Sequence, residues 1–190
     1  MSGYQYYEFC KINEPLSQEA RKEMASLSSR AKVNTHGVSY VYNYGDFRGD
    51  PKKLLLKHFD VFFYISNWGT VRLMFKYDAP HIDIDEIKKH CIKHIISCET
   101  KDTHVVIDIH LSNEEGFGWT EGEGLLLDLL PLYNEIKDKS YNIFHLASAI
   151  NDELTGKQGS SLHKAISKIK ILSSVQQAFL ESMQLDYKAT

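Results

Sequence analysis

Cysteine, proline and net charge are all scarce in this chain. Its three cysteines, Cys10, Cys91 and Cys98, are few and odd in number among 190 residues. They argue against a disulfide framework and read as reduced, mostly buried thiols. The first residues, MSGYQYYEFCKI, show no basic region followed by an apolar core, so no secretory leader is expected. No apolar run approaches the length of a membrane span. A soluble, cytoplasmic protein is expected, with no membrane partner.

Strong charge of either sign is also missing. The formal net charge is −3; residues 1–111 hold 15 Lys/Arg against 14 Asp/Glu, and residues 112–190 hold 7 against 11. Nonspecific phosphate binding neutralises several phosphates together, so this balance gives nucleic acid no broad electrostatic case. Internal repeats and low-complexity segments are absent. The glycine-rich stretches GDFRG and GFGWTEGEG lack the spacing of a phosphate-cradling loop.

What is present is aromatic and apolar surface: 11 Tyr, 9 Phe and 2 Trp, with 43% hydrophobic residues. Such side chains fit a pleated, half-buried sheet. Tyr4–Ile12 reads as a strand, and Ser17 caps a helix with Ala20, Met24 and Leu27 as its buried stripe. The segment after Arg30 is ambiguous until Val38, Tyr40 and Tyr42 alternate as a strand. Asp50-Pro51 starts a helix. Val61–Ile65 and Val71–Phe75, separated by Asn67-Trp68-Gly69, read as a hairpin; the rival is a helix running on from Pro51 to Ser66. Asp83 caps a helix through Ile84, Ile87 and Cys91. Strands follow at Ile92–Cys98 and His104–Leu111, joined by the polar turn Thr100–Thr103.

Beyond this the pattern turns helical, with a break expected at Pro131. The fold class expected is α+β: an antiparallel sheet of about five or six strands with a C-terminal all-helical portion. The organisation expected is a sheet portion over 1–111, a Gly-rich acidic loop over 112–124 and a helical portion over 125–190, packed together as one unit.

Several segments resemble a group of uncharacterised bacterial proteins. The carriers are Glu8-Phe9-Cys10-Lys11-Ile12 with Pro15-Leu16, Ser29-Arg30-Ala31, Tyr44 through Gly49, Tyr64 through Thr70, Trp119 through Gly124, and the closing FLESMQLD. The sequence departs at Leu125, where the group usually has tryptophan. The resemblance implies a shared fold and supplies no activity.

Three sets of residues carry candidate chemistry. His90 and His94, four apart, share a face if their helix continues that far, as in helical zinc sites, with Cys91 and Cys98 nearby. Against a metal, Lys88, Lys89 and Lys93 repel a cation and the Cys-x6-Cys spacing fits no standard pattern; no cofactor is expected. His104, Asp108 and His110 fall at even spacing on one strand face, as an acid/base constellation would and as a polar strand edge also would. Asp46, Arg48 and Asp50 suit a polar ligand or an ordinary turn and cap. The compositional site is Trp68 at the hairpin tip with Phe117, Trp119, Glu121 and Glu123 on the acidic loop. Aromatics there serve as partner anchors or fold back onto a core.

The reading expected is an interaction or accessory protein that binds another protein where the Trp68 tip meets the Trp119 loop. The alternatives are an enzyme using His104, Asp108 and His110, and a single-strand nucleic-acid binder stacking bases on Tyr6, Tyr40 and Tyr42.

Overall fold

The computed structural model describes residues 3–117, 120–156, 162–169 and 172–185. Among these, seven strands form one antiparallel sheet in the order β2-β3-β1-β4-β5-β7-β6. They are β1 (Gln5–Cys10), β2 (Lys32–Val33), β3 (Gly37–Tyr42), β4 (Val61–Ser66), β5 (Thr70–Asp78), β6 (Ile96–Lys101) and β7 (His104–Ser112). Six match the strands expected. The seventh, β2, is two residues long in the ambiguous stretch after Arg30, too short to show any alternation.

The run at 61–66 is strand, and its unbroken apolar character has a direct cause. β4 is buried on both faces, so neither set of alternating side chains meets water. Val61, Phe63 and Ile65 join one core with Leu73, Phe75, Tyr77, Ile107 and Ile109. Phe62 joins the other, with Phe9, Tyr40, Met74 and Val106.

Helices cover both faces. On the Phe62 side lie α1 (Gln18–Leu27) and α2 (Pro51–His58), through Met24, Leu54 and Leu55. Ser17 caps α1 and Asp50 caps α2. On the Phe63 side lie α3 (Ile84–Lys88), α4 (Leu125–Leu129), α5 (Pro131–Lys137), α6 (Asn142–Leu154), α7 (Leu162–Ile169) and α8 (Ser174–Ser182). The break at Pro131 separates α4 from α5, and the helical portion packs on the sheet through one shared core.

Two crossovers explain why α2 and α3 lie on opposite faces. β3 and β4 flank β1, β5 and β6 flank β7, and every neighbouring pair is antiparallel. Each crossover therefore joins parallel strands with one strand between them. β3 and β5 run in opposite directions while both crossovers step the same way across the sheet. A common handedness then places one helix above and the other below.

Two local expectations are corrected. The strand expected from Ile92 begins at Ile96, because residues 92–95 form a tight turn closed by Ile92 N–H on Ile96 O at 2.9 Å, with His94 at φ 68. The isoleucines at 92, 95 and 96 never had a period of two. The helix expected through Cys91 stops at Lys88. Cys91 is also exposed, and Cys10 and Cys98 are only half-buried, against the buried thiols expected.

Candidate functional site

Three of the segments singled out in the sequence, at 44–49, 64–70 and 120–124, meet at the sheet end where β1 begins. At the β4–β5 tip, Gly69 donates to Ser66 O at 3.1 Å, Asn113 donates to Gly69 O at 2.8 Å, and Phe117 donates to Asn67 O at 3.1 Å. Gly69 sits at φ +98, and a Cβ there would stand 2.0 Å from Asn113 O. Only glycine allows this approach. The tip and the 113–117 segment are thus laced together. Tyr4 extends the lacing: its N–H meets Asn67 Oδ1 at 3.0 Å and its hydroxyl accepts from Gly122 N–H at 2.9 Å. A Cβ on Gly122 would fall 2.4 Å from the Tyr6 ring.

The 44–50 loop is held to the same end by Gln5, which sequence reading missed. Its buried amide donates to Gly45 O at 3.1 Å and Asp46 Oδ1 at 3.2 Å, while its oxygen accepts from Tyr7 (2.7 Å) and Tyr64 (3.1 Å) hydroxyls. Both donors and both acceptor directions are used. No hydrophobic pattern signals such a residue; a Gln on the buried face of an aromatic strand was the available clue.

On this framework two aromatics face outward: Tyr44 is 72% exposed and Trp68 is 47% exposed. β1 separates the strands that lead to them, so the two approaches are about 10 Å apart at the strand spacing of sheets. Phe117, expected as an exposed aromatic, is 5% exposed and belongs to the core. Trp119 lies outside the described residues. Glu121 and Glu123 are exposed, and Glu123 stands 3.4 Å from Lys32.

His104, Asp108 and His110 share a sheet face, where Asp78 and Arg72 engage the first two. Asp108 accepts from Arg72 Nε at 2.9 Å and Nη2 at 2.6 Å. His104 Nδ1 stands 3.0 Å from Asp78. His110 lies opposite Arg72 in the strand register. Burial and the Arg72 guanidinium hold the His110 imidazole below its ordinary value, against the pull of Asp108.

The histidines considered for a metal are also separated. His90 stacks among Tyr141, Phe144 and His145, with ring centroids 5.0 to 5.6 Å away. Burial pushes the Cys98 thiol up to about 11. Among the described residues, no group of three or more His, Cys, Asp or Glu side chains is placed to hold a metal ion.

His94 instead joins His110. Both line a cavity of about 420 Å³ beside the 113–117 segment, with Glu114 from that segment and Asn151 and Thr155 from the end of α6. The sequence placed these two histidines in separate constellations because it could not show the turn at 92–95 folding back to β7.

Comparison with family models, with curated proteins and with solved structures returns no match to this chain.

Proposed function

We propose that the chain is a protein-binding module that docks its partner at the sheet end displaying Tyr44 and Trp68. One observation carries this reading: two large aromatics stand exposed on backbone that hydrogen bonds fix in place. Rigid aromatic anchors lose little conformational freedom on binding and dominate interface energetics. The three unpaired cysteines suit a reducing, cytosolic setting.

The alternatives have less support. Asp108 is engaged by Arg72 and offers no free base. Tyr6, Tyr40 and Tyr42 are buried in the cores, where no nucleobase can stack on them. Among the described residues, no helix is long and apolar enough to cross a membrane.

The test is site-specific photocrosslinking in lysate of the source cell, with probes at positions 44, 68 and 53. Lys53 serves as control because it is exposed on the α2 helix, outside the 44–50 loop and the hairpin tip. One discrete protein adduct shared by 44 and 68, absent at 53, supports the reading. No adduct at 44 or 68, or equal adducts at all three positions, rejects it.

A further inference from the structure

We propose that the cavity shared by His94 and His110 binds a small organic cation: an amine carrying a short hydrocarbon portion. This does not depend on the docking reading. The cavity's volume of about 420 Å³ falls in the range of small-ligand sites, roughly 300–1,000 Å³. The chemistry of its wall selects the ligand's charge. Glu114 supplies a carboxylate, and among the described lining residues there is no lysine or arginine to pair with a carboxylate or phosphate.

The remaining polar groups favour a donor-rich ligand. The Thr155 hydroxyl already donates to Asn151 O at 2.8 Å, which leaves its lone pairs to offer. Ser112 and the Asn151 side-chain carbonyl add acceptors. Ile95 and Leu154 provide the apolar wall against which a hydrocarbon portion packs.

Two further features fit. His94 adopts φ 68, a left-handed conformation uncommon outside glycine that tends to persist where a site holds it. The cavity also draws on three separate parts of the chain: the 92–95 turn, the end of β7 and the end of α6. The larger groove of about 620 Å³ at the opposite end carries charges of both signs, with lysines at 88, 137 and 139 beside Asp83 and Asp85.

The test is NMR titration of the isotopically labelled full chain with ethanolamine, agmatine and tyramine, using propionate and glycerol phosphate as anionic controls. The expected result is saturable shifts at His94, His110 and Thr155 with at least one amine, in the millimolar range or tighter, and none with the anions. Glu114→Gln, on an exposed loop residue, should leave the melting temperature unchanged. It should weaken amine binding about tenfold, as expected on losing a charge-assisted hydrogen bond. No saturable shift with any amine, shifts mapping outside the cavity, equal binding of the anions, or unchanged affinity in Glu114→Gln would each overturn the proposal.

Discussion

Arg72 grips Asp108 from the neighbouring strand through three hydrogen bonds, Nε to the two carboxylate oxygens at 2.9 Å and 3.2 Å and Nη2 to Oδ2 at 2.6 Å. Planar, bidentate pairing of this kind is among the stronger surface interactions. The Asp108 side chain is 14% exposed and that of Arg72 33%, so water screens the pair only in part. Asp108→Ala leaves a half-buried guanidinium without its acid and should cost about 1–2 kcal/mol, between exposed and fully buried pairs. Denaturant unfolding measures this. The double variant Asp108→Leu with Arg72→Met should recover most of the loss; a loss equal to the sum of both single variants would show that the pair is not coupled.

The His90 ring makes the protein sensitive to mild acid. Burial, then His145, holds its imidazole below the ordinary value of 6.5; Glu86 pulls the other way and Lys89 adds to the lowering. Below pH 6.5 the unfolded chain therefore binds a proton that the folded chain resists, so stability rises with pH through this window. The contribution is present above pH 6.5 and fades as pH falls toward the depressed folded value. Glu8, whose carboxyl is raised by burial above 4.5, acts in the opposite sense. The informative quantity is the difference between wild type and His90→Phe. Wild type should lose more stability than His90→Phe between pH 7.5 and pH 5.5, about those of ordinary His titration; parallel losses would count against His90.

How much was legible follows from how local each signal was. Asp50-Pro51, Ser17 and Pro131 mark element ends through their own backbone chemistry, and all three act where expected. The hairpin at Asn67-Trp68-Gly69 was readable for the same reason. The cavity was not, since Asn151 and Thr155 reach it only after α6 packs on the sheet. Nor was the Arg72 grip on Asp108, which depends on β5 pairing with β7. Phe117 misled because loop composition says nothing about which aromatic folds inward; its N–H bond to Asn67 O turns it toward the core.

Lys139 occupies a position made for glycine. It follows the end of α5 at φ 63, with its N–H on Ile136 O at 3.1 Å and the next N–H, Ser140, on Glu135 O at 2.8 Å. These two bonds define a Schellman cap, whose left-handed residue is usually glycine. A side chain there costs about 1 kcal/mol. The contact of Lys139 with Asp83 at 3.6 Å is exposed on both sides and offsets little of that strain. Lys139→Gly should therefore raise stability by about 0.5–1 kcal/mol. A lower unfolding midpoint in denaturant would contradict it.

Gln5 holds one side of the sheet end that displays Tyr44 and Trp68. It joins the 44–50 loop to two buried phenols by four hydrogen bonds. Gln5→Leu preserves bulk but removes all four hydrogen bonds, and the Tyr7 hydroxyl loses the oxygen it donates to. Each unsatisfied buried group costs about 1–3 kcal/mol, and a loss of about 2–3 kcal/mol is expected in denaturant unfolding. The loop should also come free of β1, while the hairpin tip stays laced to the 113–117 segment through bonds that Gln5 does not share. Hydrogen exchange should then speed up at residues 44–50 and stay slow at Gly69 and Phe117. In photocrosslinking, the yield at position 44 should fall and that at position 68 should persist. Equal losses at both positions would mean that the two aromatics are not held independently and that Gln5 supports the whole end of the sheet.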